Sequence, residues 1–378
     1  MKILYIQYAN PGAFPAAMRA GRLWRAEGHA VRYLGVGFGD VDPLAVASDL
    51  AGSCDWVSFG RLTPVRFAAR AASLVADWKP DWLYIADATA ALLCAPLRLL
   101  HRGGIVYHEH DSPIDGASAR LRAEWKGRNA MARRADAVVL PNADRAALLA
   151  ADARLPSGEL PIIAWNTPCR EEVGPPRAAA AAAAGGAVRI VYAGSINVQR
   201  VPLALIDALA AVPGIELTVI GYETVSSRGH CDRLRAHAAS LGCADRLLFR
   251  GAMPYHDLLT ALQDYDVTFA ALPVDGRDLN LRHMAGASNK TFDAIGQGLA
   301  LIVGPGRDWR DMFVEPGFAV ACDPDDAVSI AEAFRRLGAD RDAVRAMGER
   351  ARQRMIADWA YDEQFRPVMQ RMGAGGAS

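Results

Sequence analysis

A regular alternation of short apolar runs with longer helix-like segments is the feature that most restricts the fold of this chain. Seven runs of strand length precede residue 172: KILYIQYA, AVRYLGVG, DWVSF, WLYIAD, GIVYHEH, DAVVLPN and PIIAWN. The segments between them have apolar residues at helical spacing, as in 16–27, 64–78, 89–101 and 118–134. Short apolar strands separated by helices are typical of a mostly parallel sheet that helices cover on both faces.

The alternation is interrupted once and then starts again. The segment EEVGPPRAAAAAAAGGAVRI places prolines, an alanine run and glycines between two periodic regions, which indicates a domain boundary. Six further strand-like runs follow: VRIVYAGS, IELTVIGYE, RLLFRGA, DVTFAALP, LALIVGP and FAVACDP. The sequence therefore predicts an α/β protein with two Rossmann-like, doubly wound domains facing one cleft. The predicted parts are a first domain 1–172, a linker 173–187, a second domain 188–355, and a C-terminal helix and tail 356–378.

Composition excludes several classes of protein. With 378 residues, of which 52% are hydrophobic and 22% charged, the chain is large enough for two cores and too apolar to be disordered. The 42 basic residues equal the 42 acidic ones, so we expect no nucleic-acid partner. The six cysteines lack C-x-x-C spacing, which argues against a zinc site and a disulfide framework. The start, MKILYIQYANPG, has the pattern of a buried strand, and no run reaches about 18 apolar residues, so we predict a cytoplasmic protein.

Two strand-to-helix junctions of the second domain carry a cation. In YAGSINVQRVPLALIDALA we expect the strand to break at Gly194-Ser195 and a helix to follow, with Arg200 at its entrance. In SNKTFDAIGQG, Ser288-Asn289 is a good N-cap, and Lys290 falls in the first helical turn. A cation is unfavourable at the positive end of a helix dipole unless an anion is near. Both junctions therefore predict an anion site, with phosphate as the first candidate.

A local ion pair is the alternative explanation for Lys290. Asp293 lies three residues further along the same predicted helix, and such a pair contributes about 0.2–0.5 kcal/mol. Gly298 is predicted to end this helix, because glycine adopts the left-handed conformation of a helix C-terminus.

The second domain resembles the nucleotide-sugar half of retaining GT-B glycosyltransferases, family 4 (glycosyl transferases group 1) in particular. The likeness covers most of residues 188–360 through YAGS with a following arginine, LTVIGYE, LLFRGAMPYHDLLTALQDYDV and SNKTFDAIGQGLALIVGP. It implies that the C-terminal helices cross back to the first domain. It also implies that Arg200 and Lys290 hold the donor diphosphate and that Asp293 binds the ribose hydroxyls. The other implied donor-binding residues are Gly194, Ser195, Asn289 and Thr291.

Two positions depart from the family pattern. Eight residues before Asp293 stands Ala285, where the family usually has a glutamate that touches the donor sugar. Ser195 stands where the family usually has an arginine. The loop before the helix offers Asp275, Asp278 and His283 as substitutes for the missing acid, and the sequence does not choose among them.

In the first domain, the resemblance is carried by IVYHEHD and ARRADAVVLPN. Because strand side chains alternate, His108 and His110 share one face, and Glu109 and Asp111 the other. The resemblance assigns His110 to the donor sugar; the alternatives are a core histidine and a zinc ligand, and no third ligand cluster supports a metal. NPGAF resembles the acceptor-side loop, with Gly12 and Ala13, or is a plain turn.

The segment ARLRAEWKGRNAMARRAD carries many cations. They are Arg120, Arg122, Lys126, Arg128, Arg133 and Arg134. Such a run is usually a solvated helix face, and peripheral contact with an anionic membrane is the alternative.

These observations predict a metal- and cofactor-independent enzyme that moves a sugar from a nucleotide-diphosphate donor to a hydroxyl acceptor with retained configuration. The predicted catalytic residues are His110, Arg200 and Lys290. A sugar-nucleotide epimerase of the same plan is a second hypothesis, and a binding protein without turnover, suggested by Ala285, is a third. A dehydrogenase is disfavoured because YANPGAFPA lacks the G-x-G-x-x-G pattern.

Overall fold

The chain forms two compact units, which we describe from a computed structural model. The structure describes residues 1–37, 52–113, 118–156, 160–176, 186–273 and 278–375. The first unit comprises Met1–Thr167 and Tyr361–Ser378, and the second comprises Pro168–Ala360.

The first unit is built on a parallel sheet. Its strands are β1 Lys2–Gln7, β2 Ala30–Gly37, β3 Cys54–Ser58, β4 Trp82–Ala86, β5 Gly104–His108, β6 Ala137–Leu140 and β7 Ile162–Ile163. Its helices in the first part of the chain are α1 Pro15–Ala26, α2 Thr63–Trp78, α3 Ala88–Cys94, α4 Ala119–Ala132 and α5 Ala143–Ala153. Within the described ranges the strand order is β3-β2-β1-β4-β5-β6-β7, all parallel.

The second unit repeats this architecture. Its strands are β8 Val188–Ile196, β9 Ile215–Glu223, β10 Leu247–Gly251, β11 Val267–Ala270, β12 Ala300–Val303 and β13 Ala319–Ala321, in the order β10-β9-β8-β11-β12-β13. Its helices are α6 Leu203–Ala211, α7 His230–Ser240, α8 Tyr255–Leu262, α9 Leu279–Arg282, α10 Asn289–Gly296, α11 Arg307–Trp309, α12 Ala327–Gly338 and α13 Arg341–Arg354. The buried core lies between the sheet and helices such as α6 and α12.

Two more helices follow, α14 Tyr361–Gln364 and α15 Arg366–Gly375, and they belong to the first unit. The Tyr361 hydroxyl donates to the Ala16 carbonyl over 3.3 Å. The Phe365 ring lies edge-on to Trp24, with ring centroids 5.7 Å apart, and both side chains are fully buried. The C-terminal helices therefore complete the core of the N-terminal sheet.

Short 3-10 and π-helical turns join these elements. They are Pro11–Ala13, Ala95–Leu99, Arg170–Glu172, Val225–Ser227, Ala244–Arg246, Arg310–Val314 and Met355–Trp359.

Both sheets have a point where the direction of strand addition reverses. In the first unit it lies between β1 and β4, and in the second between β8 and β11. Open parallel sheets bind their ligands beyond the carboxyl ends of the strands at such a switch point. These strand ends are therefore the candidate ligand-binding sites of the two units.

The predicted strands all form, and the α/β class of two doubly wound sheets is confirmed. The predicted break at Gly194-Ser195 is wrong. Strand β8 continues to Ile196 because Gly194, Ser195 and Ile196 remain paired with residues of β9. Arg200 consequently lies in a turn, and α6 begins three residues later, at Leu203.

The second unit begins ahead of the predicted linker, 173–187. The Glu172 carbonyl accepts a hydrogen bond from Gln297 Nε2 over 2.8 Å, and the Gly174 carbonyl accepts one from Arg352 Nη1 over 3.0 Å. These bonds attach the start of the predicted linker to the second unit.

Candidate functional site

Gly194, in β8 of the second unit, makes room for the side chain of Lys290. Its φ is +140°, a backbone conformation that side chains disfavour. A Cβ atom at this position would lie 2.1 Å from Lys290 Cε and 2.3 Å from Lys290 Nζ. The paired Gly221 is equally constrained, because a Cβ there would lie 1.8 Å from the Gly194 carbonyl oxygen. The two glycines form a side-chain-free surface over which Lys290 extends.

Helix α10 positions Lys290 in its first turn, as predicted. Ser288 is the N-cap, and its Oγ accepts hydrogen bonds from Thr291 N and Thr291 Oγ1. Gly298, with φ +78°, follows the C-cap and ends the helix. The buried side of this helix includes Phe292, which is fully buried and fixes the helix against the sheet.

Lys290 and Arg200 meet at the hydroxyl of Tyr192. Lys290 Nζ donates to Tyr192 Oη over 3.3 Å, and the hydroxyl donates to the Ser195 carbonyl over 2.6 Å. Burial raises the pKa of Tyr192 to about 12, while the charge of Arg200 and a hydrogen bond from it act in the opposite direction. The two cations predicted from separate junctions are therefore neighbours. Sequence reasoning missed Tyr192, although it lies two residues before Gly194.

The local ion pair between Lys290 and Asp293 is not the arrangement found. Asp293 Oδ1 accepts from the Tyr255 hydroxyl over 2.8 Å, and Lys290 Nζ turns to Tyr192. Burial, and after it the positive charge of Arg200, lowers the pKa of Lys290 to about 7. A bound anion would relieve both effects, because it would compensate two adjacent cations in a partly buried place.

The other predicted donor-site residues flank Gly194 and Lys290 in the chain. Asn289 and Ser195 are half-buried, in α10 and β8, whereas Thr291 is fully buried and completes the helix cap. Ala285 is buried.

The proposed substitutes for the missing acid have these positions. Asp278 caps α9 by accepting from Asn280 N over 2.9 Å. His283 follows α9. Asp275 lies outside the described residues.

In the first unit, the rings of His108 and His110 share one face, as predicted, with centroids 4.0 Å apart. Tyr84 Oη contacts His108 Nδ1 over 2.6 Å, and Tyr5 Oη contacts His110 Nε2 over 3.1 Å. Burial lowers the pKa of His110 to about 4, with Asp111 acting against burial and Arg145 acting with it. His110 is therefore a neutral imidazole near pH 7.

Glu109 points to the opposite face and forms a buried ion pair. Arg128 donates to it from Nε over 2.6 Å and from Nη2 over 3.0 Å, and both side chains are fully buried. Ser112 and Tyr107 also donate to this carboxylate. The predicted solvated basic face of α4 is wrong at Arg128, because a buried carboxylate draws that side chain inward.

The other cations of this segment are at the surface. Arg120 pairs with Glu124 over 3.0 Å. The remaining basic side chains of the segment are exposed: Arg122, Lys126, Arg133 and Arg134.

Asp87, which sequence reasoning missed, follows β4 at the switch point of the first sheet. Its φ of +69° and ψ of 162° belong to a conformation nearly restricted to glycine. Oδ1 accepts from the backbone N–H groups of His110 and Asp111, and Oδ2 accepts from Gln7 Nε2 over 2.9 Å. Burial raises the pKa of Asp87 to about 6, against these three hydrogen bonds. Its sequence signal was a lone carboxylate directly after the apolar run WLYIA.

The backbone at Asp87 gives a first prediction. Relief of strain of about 1–3 kcal/mol exceeds the extra backbone entropy of glycine, about 0.5–1 kcal/mol. We therefore expect Asp87→Gly to be more stable than Asp87→Ala by about 1 kcal/mol, since both variants lose the same carboxylate. Urea denaturation of the two variants measures the difference. A more stable alanine variant would contradict the strain argument.

The predicted acceptor-side residues, Gly12 and Ala13, form a 3-10 turn that Asn10 caps by accepting from Gly12 N over 2.9 Å. Phe14 follows this turn, and its ring centroid lies 5.8 Å from that of His110. The turn and the strand-end histidine therefore belong to one neighbourhood of the first unit.

Three general features complete the description. None of the six cysteines forms a disulfide, and all six lie within the described ranges. Across the described residues, no three His, Cys, Asp or Glu side chains are grouped as metal ligands. The same part of the chain contains no helix with the length and apolar character needed to cross a bilayer.

Two doubly wound α/β units are the architecture of the GT-B fold. Residues 200–370 match the model of a family described as glycosyl transferase-like. No curated protein matches the chain in sequence. The chain is similar over its length to solved structures of GT-B glycosyltransferases, so the predicted resemblance to the group 1 type and the predicted fold are confirmed.

Three solved structures illustrate this similarity. Anabaena HepE in complex with UDP-glucose is 16% identical, with 99% of this chain and 100% of that chain covered and a TM-score of 0.74. Sucrose-phosphate synthase from Thermosynechococcus elongatus is 15% identical, with 100% of both chains covered and a TM-score of 0.75. WaaG, a glycosyltransferase involved in lipopolysaccharide biosynthesis, is 13% identical, with 100% of both chains covered and a TM-score of 0.63. At these identities the similarity establishes the fold.

Proposed function

We propose that the protein transfers a sugar from a nucleotide-diphosphate donor to a hydroxyl acceptor with retention of anomeric configuration. The observation that carries this proposal is the meeting of Lys290 and Arg200 at the Tyr192 hydroxyl, above the glycine floor of β8. Two adjacent cations suit a diphosphate. The HepE structures with UDP and UDP-glucose make a nucleotide-sugar donor the first candidate.

Stabilising the leaving group is the main task in this reaction. As the bond to the sugar breaks, the nucleoside diphosphate gains negative charge while the sugar becomes oxocarbenium-like. Lys290 and Arg200 are held in place beforehand and meet that charge without reorganisation. We propose that these two cations take the role that a metal ion has in other phosphate sites, so that no metal or organic cofactor is required.

The remaining assignments follow from the resemblance and the local chemistry. Asp293 would accept the ribose hydroxyls. His110, whose lowered pKa keeps it neutral, would orient a sugar hydroxyl and would not act as a cation. Gly12 and Ala13 would lie on the acceptor side.

A nucleotide-sugar-binding protein without turnover is a second candidate. It is favoured by the buried methyl group of Ala285 at the position where the family has its sugar-contacting glutamate.

Thermal unfolding with UDP, GDP, ADP and TDP tests the proposal, followed by assays of donor consumption with pools of acceptors. A diphosphate present at 100 times its dissociation constant stabilises the protein by about 2.7 kcal/mol. We expect one of these four diphosphates to stabilise the wild type. The same diphosphate should not stabilise Lys290→Ala. Stabilisation by none of them would contradict the donor site, and binding without donor consumption would favour the second candidate.

The pH dependence of diphosphate binding is a further prediction. Because the pKa of Lys290 is about 7, its ammonium form is lost as the pH rises through 7 in the free protein, whereas a bound diphosphate favours that form. We expect the dissociation constant for the stabilising diphosphate to rise by up to about tenfold per pH unit above 7. Calorimetric titrations between pH 6 and 9 measure this. Lys290→Arg, which stays charged, serves as the control and should bind with little pH dependence. A flat wild-type profile would contradict the prediction.

A further inference from the structure

A closed ring of hydrogen bonds joins the ends of β1 and β4 to the segment that carries His110. Asp87 Oδ1 accepts from His110 N over 3.0 Å, and Asp87 Oδ2 accepts from Gln7 Nε2 over 2.9 Å. Gln7 Oε1 accepts from Tyr5 Oη over 3.3 Å, and Tyr5 Oη contacts His110 Nε2 over 3.1 Å. The ring thus begins and ends at the same histidine.

The chemistry of these groups fixes the direction of each bond. An ionised carboxylate only accepts, so Gln7 presents its NH₂ group to Asp87 and its carbonyl oxygen to Tyr5. The single proton of the Tyr5 hydroxyl is then used on Gln7, and the Tyr5 oxygen accepts from His110. His110 must therefore carry its proton on Nε2. Because the imidazole is neutral, Nδ1 retains its lone pair.

His110 Nδ1 differs from the other ring atoms of this cluster. Within the described ranges it has no hydrogen bond, and it is not one of the fully enclosed unpartnered atoms, which include Nε2 of the neighbouring His108. Nδ1 therefore has an unused lone pair, on a side chain of which 6% remains exposed.

We propose that Asp87 is a positioning residue that acts through Gln7 and Tyr5 to keep the His110 proton on Nε2, so that Nδ1 accepts a hydrogen bond from a sugar hydroxyl. The position of the proton follows from the ring alone, whereas the identity of the ligand rests on the proposed function. The glycine-like backbone of Asp87 is in keeping with this role, because strained conformations persist where function holds a group in place.

A one-atom change reverses the ring. In Asp87→Asn, the amide oxygen can still accept from His110 N, but the new NH₂ group faces Gln7, which must turn its carbonyl oxygen toward it. Gln7 then donates to Tyr5, and Tyr5 donates to His110 Nε2, so the proton moves to Nδ1. Adding Gln7→Glu restores an acceptor opposite Tyr5 and with it the original tautomer. Neither substitution changes the side-chain shape appreciably.

Nitrogen-15 NMR of histidine-labelled protein distinguishes the tautomers directly. The spectra are recorded at pH 8, where Asp87 is ionised, and the His110 signals are identified by their loss in His110→Gln. We expect Nε2–H in the wild type, Nδ1–H in Asp87→Asn and Nε2–H in the double variant. A wild-type Nδ1–H form, or an unchanged tautomer in Asp87→Asn, would overturn the proposal. If the single variant fails to fold, a double variant with Nδ1–H overturns it equally.

Donor turnover in the same proteins gives the functional readout. We expect Asp87→Asn to lose about tenfold, the effect of one hydrogen bond of ordinary strength, and the double variant to recover most of it. Turnover unchanged in Asp87→Asn despite a reversed tautomer would overturn the assignment of Nδ1 to the substrate. Tautomers that follow the expected order in a protein without any turnover would support the ring and contradict only the proposed function.

Discussion

Replacement of Lys290 by alanine is expected to lower turnover by about a hundredfold to a thousandfold, or about 2.7–4 kcal/mol, while leaving the fold intact. This is the effect of removing one preorganised donor from a site where negative charge develops. The side chain lies over Gly194 and shares the Tyr192 hydroxyl with Arg200. Its removal leaves Arg200 without the second cation. Because burial already disfavours its charged form, the truncation should not lower stability.

Initial rates of donor consumption, with folding checked by circular dichroism, measure this effect. Lys126→Ala is a matched control, because Lys126 is an exposed lysine on α4 of the first unit. We expect the control to retain full activity and Lys290→Arg to retain part of it. Wild-type turnover in a folded Lys290→Ala protein would remove Lys290 from the mechanism and, with it, the proposed function.

Replacement of Arg128 by methionine is expected to lower the free energy of unfolding of the first unit by about 3–5 kcal/mol. The substitution leaves Glu109 buried without its cation, although Ser112 and Tyr107 still donate to it. An uncompensated buried charge is among the largest single-residue effects on stability.

Chemical denaturation of the two proteins measures this change. Arg134→Met is the control, because Arg134 is an exposed arginine just after α4. It should change the free energy of unfolding by no more than about 0.5 kcal/mol. The double variant Glu109→Gln/Arg128→Met should be more stable than Arg128→Met alone. A small effect of Arg128→Met would contradict the expectation that Glu109 is left as an uncompensated buried charge.

What the sequence predicted well was determined by neighbours along the chain. The apolar runs form strands as predicted, because strands of a parallel sheet are covered on both faces and are therefore apolar along their length. Helix α10 begins after Ser288 because the hydrogen bond of its cap spans only three residues. The position of Lys290 in the first turn of α10 was a local inference of the same kind. The anion site that this position suggests, because a cation is unusual there, stays a prediction.

What the sequence did not predict depends on partners far along the chain. Strand β8 passes Gly194 because β9 pairs with it, and nothing in the local turn residues shows that pairing. Arg128 is buried because Glu109 lies beneath it, 19 residues away. Asp87 was overlooked because its hydrogen-bond partner Gln7 is 80 residues away and its positive φ is visible only in coordinates.

The return of α14 and α15 to the N-terminal sheet has a consequence for the order in which the protein is made. Tyr361, Phe365, Val368 and Met372 are fully buried in the first unit, yet they are synthesised after the whole of the second. The sheet that is synthesised first is therefore the last to have its core completed. Until α14 and α15 have been made, the apolar surface around Trp24 lacks the side chains that bury it.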